Sequence, residues 1–191
     1  MAVTVTNLIM GPGTLYKGEF GTSTEPDDVD VSEPLNNTSV SGDWTDLGGT
    51  SGGVSLELEQ DYTEMEVDQV VDIVERRLTK REFKINTSLA EPTLENFVIA
   101  NNGGTVTSGS GWKAFDPKMD TSASQPTYIS LIFDGIAPNS LRRRVIARRV
   151  LSVAGIGQEY TKEDQTLFPV EFSCHYVDTN TPPFKYVDEV Q

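Results

Sequence analysis

The side chains best able to do chemistry here are an adjacent cysteine and histidine, a run of carboxylates and a short run of arginines. Cys174 is the only cysteine and His175 the only histidine. Neighbours in an extended strand project to opposite faces, so these two form no nucleophile–base dyad unless a bulge intervenes. One cysteine and one histidine also fall short of a closed zinc site. The carboxylates lack the spacing of an EF-hand loop. Two tryptophans, Trp44 and Trp112, are few for a sugar cleft that would house a glycosidase pair. Gly11-Pro12-Gly13 is too short to cradle a phosphate, and no G-x-x-x-x-G-K-[ST] occurs. The expectation is a protein that is not an enzyme and uses no catalytic residue, metal or cofactor.

What the charged residues do show is a change of sign. From Asp43 to Glu75 there are ten acidic residues and no Lys or Arg, after which come Arg76, Arg77, Lys80, Arg81 and Lys84. Glu57, Glu59 and Asp61 alternate with Leu56, Leu58 and Gln60, so in a strand they share a face. Glu64, Glu66 and Asp68 resume the alternation in the other parity, as a bulge or bend near Asp61 would produce. Such a row of like charge is either a solvated face or a face that something negative must pass without sticking. The second basic run, LRRRVIARR at Leu141 to Arg149, could be a nucleic-acid patch. As a strand it splits its charges, with Arg142, Arg144 and Arg148 on one side and Arg143 and Arg149 on the other. In an acidic chain the better reading is pairing with carboxylates of the same or a neighbouring subunit. Arg142, Arg144, Arg148 and Arg149 are the candidates for intersubunit ion pairs.

The net charge of −14 over 191 residues argues against stable nucleic-acid binding through neutralised phosphates, though not against transient passage of DNA. The length suits one domain spanning 1–191, with room for a sizeable core. No stretch is long and apolar enough to span a bilayer, and MAVTVTNLIM lacks the basic region of a secretory signal. A lone cysteine fits a reducing compartment.

The elements that must position these residues follow a period of two, which reads as antiparallel sheet. Strands are predicted at Val54 to Gln60, Tyr62 to Asp68, Thr79 to Thr87, Tyr128 to Asp134, Arg142 to Val153 and Thr166 to Val177. Phe83 and Ile85 are placed inward on the third; Phe168, Val170, Phe172, Cys174 and Tyr176 share a face of the last. Between Val67 and Leu78 the β-branched run favours extended or irregular structure over a short helix. One helix is predicted at about 89–101, from the S-x-x-E of Ser88 to Glu91 and from Gly103 as its stop. Residues 21–42 and 103–127 read as long loops and 178–191 as a C-terminal arm, segments that could order by docking onto a neighbour.

Several motifs in order carry a resemblance: GPGTLYKGEFGT, WTDLGGTSGGVSLELEQDYTEMEVDQ, RRLTKREFKINTSLAEPTLENF and DQTLFPVEFSCHY. In their order and spacing they resemble the major tail tube proteins of long-tailed, siphophage-type bacteriophages. The resemblance implies a mainly β fold, an antiparallel β-sandwich or partial barrel of the tail-tube type flanked by one α-helix. It implies hexameric rings stacked into a hollow tube, a virion protein assembled in the bacterial cytoplasm, and passage of double-stranded DNA at ejection. The implied partners are further copies, the tape measure protein and the tail terminator and initiator proteins. On that reading Glu57, Glu59, Asp61, Glu64, Glu66 and Asp68 line or approach the bore; an outer solvated face is the alternative. The runner-up function is a non-tubular virion module for capsid decoration or receptor binding. A third is an acidic carbohydrate-active or metal-binding β domain.

Overall fold

The computed structural model describes residues 9, 11–23, 25, 40, 42–119 and 124–189. Most of the predicted loop 21–42 therefore lies outside the described residues. Over the described residues the chain is mainly β, with a large antiparallel sheet of eight strands, a small second sheet and one α-helix. The large sheet runs β2 (Thr45–Asp46), β1 (Thr14–Glu19), β7 (Ile129–Ile136), β8 (Arg142–Ser152), β9 (Phe168–Cys174), β4 (Glu75–Leu89) and β3 (Thr50–Met65). It branches at β8, where β10 (Phe184–Asp188) pairs with Arg143–Ala147 while β9 pairs with Val150–Ser152. The predicted C-terminal arm is thus a strand of its own sheet. Phe184 stacks on Phe83 of β4 at 4.4 Å between ring centroids, which brings the branch over the core.

Alternation decides where the core sits. Leu15, Leu131, Val145 and Ala147 point into the main cluster with Phe83, Ile85, Leu89, Phe168, Val170 and Phe172. The intervening Tyr16, Ile132 and Ile146 meet Trp44 on the other face. β8 has one residue more than β7 between the Leu131–Ala147 and Ile129–Val150 pairs, and this bulge returns Val150 to the main cluster.

α1 (Leu94–Ala100) is shorter than predicted. Ser88 and Leu89 finish β4 instead of opening the helix, because Leu89 is fully buried in the sheet core. The N-cap is Thr93, whose hydroxyl accepts from Asn96 N at 3.2 Å. The helix closes as a Schellman turn: Gly103 N donates to Val98 O and Asn102 N to Ile99 O, with Asn102 at φ 55°. Asn102 then clamps the end of β8, donating to Ser152 O at 2.7 Å and accepting from Ser152 N at 2.8 Å. Phe97 packs edge-on to Phe115 and beside Phe168, joining the helix to both sheets. Phe115 belongs to the small sheet, β5 (Thr105–Gly109) with β6 (Trp112–Asp116), so the predicted loop 103–127 contains a hairpin.

Candidate assembly site: a projecting charged hairpin

β3 and β4 form one long hairpin, and its two halves differ in kind. Near the body, Leu56, Phe83 and Ile85 join the core cluster, and β4 pairs with β9 from Lys84 to Leu89. Beyond that point every residue from Glu57 to Arg81 is exposed. Nine residues of β3 extend from Glu57 to Met65, an arm of about 30 Å at strand rise. Among the described residues β3 pairs only with β4, and β4 has no second neighbour before Lys84, so both outer edges of the arm are open there. A bulge at Gly52 and Gly53, with φ of 77° and 86°, lies at the root of β3.

Cross-strand register sorts the side chains. Glu57, Glu59 and Asp61 stand opposite Lys84, Glu82 and Lys80 on one face. Leu58 opposes Phe83, and Tyr62 opposes Leu78, on the other face, which continues the core outward. Tyr62 Oη donates to Gln60 Oε1 at 2.8 Å, as two side chains on one face do. The expected bulge near Asp61 is present, but its extra residue is Thr79 of β4. β3 therefore keeps its alternation, and Glu64 falls on the apolar face beside Arg76, with 3.0 and 2.8 Å hydrogen bonds to it. The predicted second strand to Asp68 stops at Met65; Glu66 and Asp68 lie in the turn at the tip, which is irregular rather than helical.

The charged face is internally bonded. Lys80 Nζ lies 2.6 Å from Glu82 Oε2, and Ser173 Oγ donates to Glu82 Oε1 at 2.8 Å. The Lys80 contact first, then Ser173, hold the Glu82 carboxyl below its ordinary value. Lys84 bridges Glu59 at 3.3 Å and Glu171 at 3.4 Å, and the Glu59 hydrogen bond chiefly raises its ammonium. Glu57 accepts from Ser55 Oγ. Apolar exposure concentrates on the same arm. Nine of the seventeen exposed large hydrophobic side chains among the described residues are there: Leu58, Tyr62, Met65, Val67, Val70, Val71, Ile73, Val74 and Leu78.

The arginine run is used within the chain. Arg144 is 1% exposed and binds Asp134 by its fork at 2.7 and 2.8 Å. Arg148 bonds Glu25 and donates to Pro182 O at 2.7 Å. Arg149 lies 4.0 Å from the Tyr128 ring centroid and 5.5 Å from that of Phe20, and donates to Tyr176 O. Arg148 and Arg149 thus both reach the segment after β1, although strict alternation sets them apart; the β8 bulge is the reason. Arg143, absent from the sequence candidates, holds Asp188 of β10 at 2.6 Å. Arg142 is exposed, and its backbone N–H donates to Glu189.

Cys174 and His175 face apart as alternation requires. Cys174 joins the core, where burial pushes its thiol up to about 12. His175 lies edge-on to Tyr128, and burial, then Arg149, hold its imidazole below the ordinary value. Among the described residues no group of three or more His, Cys, Asp or Glu could hold a metal ion, and no helix is long and apolar enough to cross a membrane.

Against known proteins, no family model and no curated protein matches the chain. Among solved structures it is similar to a chain of the anti-feeding prophage (AFP) baseplate, solved by cryo-EM with 6-fold symmetry applied. The TM-score is 0.44 and the identity 12%, over 98% of this chain and 97% of that one. A likeness this weak carries no reading of function.

Proposed function

We propose that the chain is a structural virion protein whose copies form stacked hexameric rings, the hollow tail tube through which a bacteriophage ejects its DNA. The observation that carries this reading is the arm. A two-stranded hairpin exposed on both faces is marginal in water, and this one continues the core's apolar face into solvent. Copies of the same protein, seated side by side, would cover that face and consume both open edges. The face left over would carry Glu57, Glu59 and Asp61. Turned to a bore, such a face would repel a duplex bearing about one negative charge per 1.7 Å, so DNA would slide and not bind. A tape measure protein would fill the same bore before ejection, and terminator and initiator proteins would cap the ends. The motif order described above supports the same reading.

Electron microscopy of the purified protein over a range of concentrations tests this reading. Rings or hollow tubes are expected. Discrete monomers or trimers at every concentration would favour a decoration or receptor-binding module instead.

A further inference from the structure

The side chain that ties the end of α1 to β8 belongs to a dipeptide with chemistry of its own. Asn102-Gly103 is the only Asn-Gly step in the sequence. In an unstructured chain this pair deamidates readily, because glycine has no Cβ to keep the backbone nitrogen away from the asparagine side-chain carbon. The fold nonetheless demands both residues. Asn102 has a φ of 55°, a left-handed conformation that asparagine tolerates better than most residues. Its amide donates to Ser152 O at 2.7 Å and accepts from Ser152 N at 2.8 Å, a double role that no carboxylate can fill. Gly103 has a φ of 139°, which other residues rarely adopt. The turn is therefore built on a labile pair.

The same geometry holds the reacting atoms in place. The nucleophile is the Gly103 nitrogen, whose N–H is committed to Val98 O at 3.0 Å. The electrophile is Asn102 Cγ, whose oxygen and nitrogen are both bonded to the backbone of buried Ser152. Attack requires the turn to unwind and the amide to swing off β8.

We propose that Asn102-Gly103 is a latent deamidation site, held shut by the clamp to β8 and released when the C-terminal turn of α1 opens. In the reaction the Gly103 nitrogen bonds to Asn102 Cγ, the Cγ–Nδ2 bond breaks, and ammonia leaves with the Gly103 amide proton. Water then opens the cyclic imide at either carbonyl, giving aspartate or isoaspartate at position 102. Either product lacks the Nδ2–H donor and sets a carboxylate oxygen against the Ser152 carbonyl. The original clamp cannot re-form, so the modification traps the opened turn in one direction. The inference stands without the tail-tube reading.

Mass spectrometry of the tryptic fragment ending at Lys113 tests it, after incubation of the protein at mildly alkaline pH. Deamidation at Asn102 is expected at least about tenfold faster in urea than in the folded chain. Equal rates would overturn the proposal. Thr93→Ala removes the N-cap of α1 and should speed the folded-state reaction about fivefold, with the rate in urea unchanged. A folded-state rate unmoved by that substitution would contradict release through α1. Asn102→Asp is expected to unfold at a lower temperature than wild type, and an unchanged midpoint would contradict the one-way loss of the clamp.

Discussion

Arg144 shows how firmly single charges are committed in this molecule. Its guanidinium is 1% exposed and is forked onto Asp134. Removing one partner of such a pair strands a buried charge. Asp134→Ala is expected to lose about 3 kcal/mol in urea unfolding, and a loss under about 0.5 would contradict the assignment. His175 makes a pH prediction. Its folded imidazole is held below the ordinary value, so the unfolded chain takes up the proton first. Stability should then fall as pH drops through about 6.5 and stop falling once the folded imidazole titrates. Thermal midpoints between pH 7.5 and 5 should decline more for wild type than for His175→Gln; equal declines would contradict it. At this scale the sequence was half legible. Alternation correctly separated Cys174 from His175. It set Arg148 and Arg149 on opposite sides, because a one-residue bulge leaves no mark in composition or spacing.

The elements divide into those that hold the body and the one that leaves it. Phe83 anchors β4 under Phe184 and Tyr186, and Phe83→Ala is expected to cost about 3–4 kcal/mol. Leu58 stands across the hairpin from Phe83 and Tyr62 lies further out, and both are about half exposed. Leu58→Ser with Tyr62→Ser should change the stability of the isolated chain by under about 1 kcal/mol while abolishing assembly, read by sedimentation. A double variant that assembles normally would remove the apolar face from the account. Strands with clear alternation, Val54 to Gln60 and Thr79 to Thr87, were readable, as were the inward Phe83 and Ile85. The helix start was not: Ser88 and Glu91 have capping-box spacing, yet burial of Leu89 outweighs that local signal. β5, β6 and β10 were also missed, since their strands are short and sit among glycines and prolines. Their partners are fixed by tertiary packing, through Phe97 on Phe115 and Phe184 on Phe83.

Across the whole molecule, a core sheet supports an arm with one apolar face, one charged face and two open edges. On the proposed function, a net charge of −14 would keep copies apart in solution, and the arm would supply the short-range complementarity that overcomes it. Glu57→Lys with Glu59→Lys should leave tubes intact and slow DNA ejection, measured on phage carrying the variant. Unchanged ejection would separate these carboxylates from the bore. The sequence displayed the sign change but could not orient it, because inside and outside of a tube are equally polar. The continuity of Leu56, Phe83 and Ile85 with Leu58 and Tyr62 is what distinguishes the two faces.

The most direct test is a cryo-EM reconstruction of the assembled protein. It should show stacked sixfold rings around an open bore, with neighbouring arms covering Leu58, Tyr62 and Leu78 and with Glu57, Glu59 and Asp61 facing the lumen. Assemblies without a bore, or a bore in which those carboxylates face outward, would contradict it.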